Sequence, residues 1–287
     1  MAPARRCRPI ASTCTSATSP TRSGPSRCVP PVRGRPSYWR VSVTLLALDT
    51  STEWASVALY DGRDVLAEET WHAQRRHADE LFPTIERLLA RTRITLASID
   101  KVAVATGPGS FTGLRIAIAA AQGLARGAGA ALVGISTLDV LAYPHAASKQ
   151  RTCPLLPAGR DEFYAAFYQD RNRRWQRRSP FIAATLPELC RQIGVHTLFV
   201  GEIGAETEQT LRDILGPKAL FASPASRMRR AGYLAELGWR ALETSPQARL
   251  SEIEPIYVKQ PSIRTSFDQP FAPPPTDDLA LGLPKRH

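Results

Sequence analysis

No apolar run in this 287-residue sequence is long enough to span a membrane, and paired cysteines at metal-ligand spacing are missing. Of the five cysteines, Cys7, Cys14 and Cys28 lie in the first 40 residues, leaving only Cys153 and Cys190 for the rest. That usage fits a reduced, cytoplasmic compartment. Acidic residues are absent from residues 1–40, which hold eight Arg. Residues 41–287 therefore carry 29 basic against 26 acidic residues, so most of the net charge of +11 belongs to the tail. A nearly neutral body gives no argument from overall charge for binding RNA.

The first 40 residues are rich in Pro, Ser, Thr and Arg and show no apolar periodicity, which predicts a disordered tail. They lack the continuous apolar core of a secretory signal, and prolines interrupt any amphipathic helix of a transit peptide. The expectation is an over-long start, with the folded protein beginning near Val41.

What is present becomes legible from Val43. Val43 to Leu48 is an apolar run ending in Asp49-Thr50-Ser51-Thr52, and Ala55 to Tyr60 alternates before the Asp61-Gly62 turn, so the pair reads as a hairpin. Val65 to Trp71 supplies a third strand. An acid and hydroxyls at the end of a first strand are the groups with which phosphotransferases meet phosphate and its metal. A turn whose side chains bond to their own backbone is the alternative, favoured while no second acidic site is visible. Asp49, Thr50, Ser51 and Thr52 are therefore a candidate vestigial phosphate site.

A helix is expected from about Arg76 to Arg91, where Ala78, Leu81, Phe82, Ile85, Leu88 and Leu89 repeat at helical spacing and Pro83 requires a late start or a kink. His72 and His77 are five apart and do not share a helical face, so they read as structural or surface histidines rather than a metal pair.

The densest block is Thr106-Gly107-Pro108-Gly109-Ser110-Phe111-Thr112-Gly113-Leu114-Arg115, between the strand at Val102 to Ala105 and the small-residue run Ile116 to Leu124. Gly107 and Gly109 flank a proline with fixed φ and allow a sharp turn, and Ser110 is a good N-cap. A P-loop would need Lys-Ser/Thr after its last glycine, and a dinucleotide fingerprint would need one spacer fewer between Gly109 and Gly113. Both nucleotide readings fail on spacing, leaving Gly107, Gly109 and Gly113 as a structural turn. The helix that follows, about Phe111 to Ala125, carries small rows at Gly113/Ala117/Ala121 and Ala119/Gly123/Gly127, suited to close helix packing within the fold or with another subunit.

With Ala131 to Ile135 as strand and Thr137 to Ala142 as helix, residues 43–143 read β-β-β-α-β-α-β-α, the order of one ribonuclease-H-like lobe. Weaker signals follow: strands at Pro154 to Ala158, Glu162 to Gln169 and Thr197 to Val200, and helices at Leu186 to Ile193, Glu206 to Leu215 and Arg227 to Leu242. The fold class is α/β, with two ribonuclease-H-like lobes of mixed sheets and a degenerate second lobe. The chain divides into a tail at 1–40, lobes at 41–145 and 146–260, and a Pro-rich flexible tail at 261–287.

Several stretches together resemble the TsaB (YeaZ) family of the actin-like, glycoprotease-like superfamily. They are Leu46 to Thr52, His77 with Leu81, Pro83 and Ile85, Gly107 to Arg115, Ser136-Thr137-Leu138 with Leu141-Ala142, Arg160 to Tyr164, and Pro255-Ile256-Tyr257-Val258-Lys259. Lys259 stands where the family usually has Arg. The resemblance implies the partner subunit in synthesis of the threonylcarbamoyl modification on adenosine 37 of tRNA. Such a subunit is not an enzyme on its own. It pairs with the catalytic sister TsaD, or with itself as a homodimer when alone, and recruits TsaE. ATP and metal belong to the partner subunits, no cofactor to this chain, and tRNA is met through the complex. The sister carries a His-x-x-x-His metal pair after the strand matching Leu132 to Ile135, whereas Ser136 to His145 offers one late histidine, so no metal is expected.

The resemblance places the partner interface on His77, Leu81, Ile85, Leu88, Arg115, Ile116, Ala119, Ala120 and Gly123, as a four-helix contact. An ATP-dependent enzyme built on Asp49 to Thr52, or a metallopeptidase, remains the alternative. Arg171, Arg173, Arg174, Trp175, Arg177 and Arg178, with Arg227, Arg229 and Arg230, could meet a tRNA backbone or simply be solvated.

Overall fold

The computed structural model describes residues 43–148, 150–171, 174–244 and 253–258. The tails expected at 1–40 and 261–287, and Lys259, lie outside the described residues.

The first sheet is built from β1 (Leu45–Asp49), β2 (Trp54–Tyr60), β3 (Val65–His72), β4 (Lys101–Gly107) and β5 (Ala131–Ser136), in the order β3-β2-β1-β4-β5. β1, β2 and β3 pair antiparallel, while β4 and β5 continue parallel to β1. β1 is buried along its whole length, as expected of a central strand covered on both faces. Between the parallel strands run α1 (His77–Thr92) and α2 (Phe111–Ala128), which pack on one face through Leu81, Ile85, Leu88, Ala117 and Ala121.

α1 continues through Pro83 rather than starting after it. α2 is stopped by Gly129, whose φ of 69° only glycine adopts readily.

After α3 (Thr137–Ala142) the second sheet repeats that plan. It comprises β6 (Arg151–Gly159), β7 (Glu162–Ala165), the inserted hairpin β8 (Tyr168–Arg171) and β9 (Arg174–Arg177), β10 (Ile182–Thr185), β11 (Thr197–Gly201) and β12 (Ala219–Phe221). The order β10-β7-β6-β11-β12, with two antiparallel and two parallel pairings, matches the first sheet strand for strand. α4 (Leu186–Cys190) and α5 (Ala205–Leu215) cover one face around Phe199, Leu189 and Leu211.

Several elements of the second half differ from the sequence expectation. The strand expected over Glu162 to Gln169 breaks into β7 and β8, because the chain leaves β7 to start the inserted hairpin. β9, β10 and β12 are too short or too polar to show a period of two. The late helix starts at Ala231 and not at Arg227, since Arg229 and Arg230 are drawn into side-chain pairs before it begins.

That helix, α6 (Ala231–Thr244), follows the second sheet but packs on the first, where Leu234, Ala235 and Leu242 meet Leu45, Ala47 and Ala103. Conversely α3 follows the first sheet but packs on the second, with Leu138, Leu141 and Ala142 against Leu156 and Val200. Each sheet is thus closed by a helix from the other half of the chain, and the two exchanged helices are bonded through the Tyr143 hydroxyl to Glu236 at 2.7 Å.

Candidate functional site

The turn leaving β1 is the point where both lobes and both outer helices meet. Asp49 is wholly buried, and its Oδ1 accepts from the Ser51 amide at 2.9 Å and the Ser51 hydroxyl at 2.6 Å. Its Oδ2 is taken by Nε of Arg229, a residue only 4% exposed. The same guanidinium donates to the Thr52 hydroxyl at 2.9 Å and the Trp54 carbonyl at 2.7 Å, and pairs with Glu202 at 3.4 Å. Thr52 in turn donates to Glu202 at the end of β11. Asp49, Thr52 and Trp54 come from the first lobe and Glu202 from the second, so one arginine bridges them.

Beside it opens a cleft of about 410 Å³ lined by Trp54, Leu141, Glu202, Ile203, Met228 and Arg229.

From the other side the glycine turn presses on the same loop. The Ser110 amide donates to the Ser51 carbonyl at 2.6 Å, and the Thr50 hydroxyl donates to the Gly113 carbonyl at 2.7 Å. A Cβ on Gly109 would lie 2.2 Å from the Ser51 oxygen, and one on Gly113 would lie 2.0 Å from the Thr50 oxygen. Only Gly107 uses positive φ, at 107°, so the other two glycines are there for close approach. Ser110 caps α2 as expected, accepting from the Gly113 amide. The turn therefore packs as a wedge against the loop after β1. At the head of α1, the Nε2 of buried His77 bonds to the Thr52 carbonyl at 2.6 Å. His72 instead sits exposed at the end of β3, 3.3 Å from Glu53, and among the described residues no cluster of three metal-ligating side chains exists.

The expected interface is divided by burial. His77, Leu81, Ile85, Leu88 and Ala120 are buried within the first lobe, because both helices turn their apolar rows to the sheet. Those five are core residues and not interface residues. Arg115, Ala119 and Gly123 are exposed, Ile116 is half-buried, and nothing lies within 4 Å of a Cβ built on Gly123 or Gly127. Phe82 is 48% exposed on α1, which sequence periodicity had grouped with the core row. Phe111 is also exposed; Arg115 covers its ring at 3.8 Å and Tyr257 of the returning segment 253–258 lies 5.5 Å away.

Several of the basic residues are paired or stacked within the protein. Arg229 is buried, Arg230 pairs with Glu68, and Arg227 reaches Glu208 at 3.5 Å. Trp175 stacks on Tyr168, and Arg177 lies 3.9 Å over the Phe181 ring. Arg173 and the side chains of Arg171 and Arg174 lie outside the described residues, while Arg178 is exposed.

The two matched sheets with exchanged helices define a two-lobed α/β protein. The profile of TsaD, tRNA N6-adenosine threonylcarbamoyltransferase, matches residues 67–180. The tRNA threonylcarbamoyladenosine biosynthesis protein TsaB of Bacillus subtilis is 29% identical over 199 residues, covering 68% of this chain and 87% of that protein. TsaB of Escherichia coli is 38% identical over 134 residues, 46% of this chain and 58% of its own length. The solved structure of YeaZ from Pseudomonas aeruginosa superposes with a TM-score of 0.62 at 28% identity, over 75% of this chain and 99% of that one. The chain is thus similar, over most of its length, to proteins of the TsaB (YeaZ) family.

Proposed function

We propose that this chain is the non-catalytic partner subunit in threonylcarbamoylation of adenosine 37 of tRNA, pairing with TsaD and recruiting TsaE to the pair. The relatives named for that biosynthesis support the pathway. The observation that carries the partner role is the outer side of α2, where exposed Ala119, Gly123 and Gly127 leave backbone bare at helical spacing. A helix of another subunit can approach such a strip closely. With Phe82, Phe111 and Arg115 around it, the face would contribute to an interface of about 1,200–2,000 Å² in total. A second copy of this chain could use the same face when TsaD is absent.

Catalysis is assigned to the partner. Both Asp49 oxygens are already engaged, Oδ1 by Ser51 and Oδ2 by Arg229, whose positive charge stands where a metal ion would have to sit. His145, the one histidine after β5 in the stretch to compare with the sister's pair, bonds the Ser226 carbonyl at 3.0 Å. On this reading ATP and metal act in TsaD and TsaE, and tRNA is met through the complex. Among the described residues no helix is long and apolar enough to cross a membrane, and the reading places the complex in the cytoplasm.

Copurification with TsaD and TsaE, followed by a tRNA modification assay with and without this chain, tests the proposal. Modification by TsaD and TsaE alone at the full rate would refute it.

A further inference from the structure

Arg229 is nearly inaccessible, yet it belongs to no hydrophobic cluster and caps no helix. It is seated among oxygen ligands: Asp49 Oδ2, the Thr52 hydroxyl, the Trp54 carbonyl and Glu202 Oε1. Two carboxylates, a hydroxyl and a carbonyl converging at the carboxyl ends of β1 and β11 are a donor set for a cation. They also lie where ligands of parallel α/β sheets bind, outside the carboxyl ends of the strands.

We propose that this cluster is a cation site filled by the chain's own guanidinium, which holds the two lobes closed without a bound ligand. The charge arithmetic supports the assignment. Two buried or half-buried carboxylates without a counter-ion would repel one another and favour separation of the lobes; the guanidinium supplies one positive charge and planar donors in the fork geometry that carboxylates accept. Because Arg229 lies two residues before α6, and α6 is bolted to the first sheet, its position is fixed by the fold. The loop it grips also carries the bonds to the head of α1 through His77 and to α2 through Ser110 and Gly113. The closure thereby sets the heads of both outer helices.

The test is chemical rescue in the full-length chain. Arg229→Ala should melt well below the wild type and show faster amide exchange at 49–54 and at the start of α1. Guanidinium chloride at low millimolar concentration, too dilute to denature, should raise the melting temperature of that variant saturably and slow the exchange again. Equal sodium chloride should do neither, and the wild type should not respond. A variant indifferent to guanidinium would overturn the proposal. Should Arg229→Ala fail to fold, Asp49→Asn is compared alone and combined with Arg229→Met. The double variant is expected to melt above Asp49→Asn, which leaves a buried guanidinium short of its anion. A double variant melting below Asp49→Asn would equally overturn it.

Discussion

At Gly113 and Gly123, ten positions apart on one helix, the same substitution should have opposite effects. A Cβ on Gly113 would stand 2.0 Å from the Thr50 carbonyl oxygen, so Gly113→Ala must push the β1 turn away. A loss of about 3 kcal/mol is expected in denaturant unfolding. Gly123 has nothing within 4 Å of its Cβ position, and Ala there should add about 0.5–1 kcal/mol through helix propensity. Ser110→Ala removes the N-cap acceptor of the Gly113 amide and should cost about 1 kcal/mol by the same measurement. Asp49 follows the same logic of local satisfaction. With its oxygens engaged, the wild-type chain should show no rise in melting temperature with magnesium and ATP, whereas a rise would favour the phosphotransferase reading.

At the scale of elements, α1 and α2 divide their labour by face. The inner rows, Leu81, Ile85 and Leu88 with Ala117 and Ala121, fix both helices to the sheet and cannot contact a partner. Ile85→Glu would therefore report on folding and not on assembly, since it buries an unpaired carboxylate. Gly123→Leu places a bulky side chain on the outer strip and is expected to abolish copurification with TsaD while the melting temperature of the isolated chain stays near the wild-type value. Retained copurification would place the partner on another face. The two tests are independent: Gly123→Leu addresses the outer face, and guanidinium rescue addresses the loop beneath it.

For the whole molecule, the exchange of α3 and α6 makes the lobes interdependent. Tyr143, at the end of α3, donates to Glu236 on α6, and burial, followed by that carboxylate, pushes its phenol up to about 12. A phenol raised in the folded state contributes stability that is present below its unfolded value of about 10 and is lost as pH rises from there toward 12. Stability should decline over that window, and Tyr143→Phe should flatten the slope in pH-dependent melting. Because Tyr143 is partly open to solvent screening, the effect should be small. Since neither sheet is covered on both faces without the other half's helix, melting should be a single cooperative transition followed alike by Trp fluorescence and helix content. Two separated transitions would contradict that coupling.

The sequence by itself determined the first lobe, whose apolar runs, glycine turn and helical repeats are strong local signals that survive in any context. It also specified the Ser110 cap. Three things were decided only by the tertiary structure. Which helical face is buried could not be read from small residues, because Ala119 and Ala121 are alike in sequence while one faces solvent and the other the sheet. The second sheet's order was hidden by strands of three or four residues, which are held by their neighbours more than by their own pattern. The Asp49–Arg229 pair joins residues 180 positions apart, and no local rule links them. That arginine looked like part of a basic surface cluster in the chain, and the exchange of α6 onto the first sheet brings it to the acid at the end of β1.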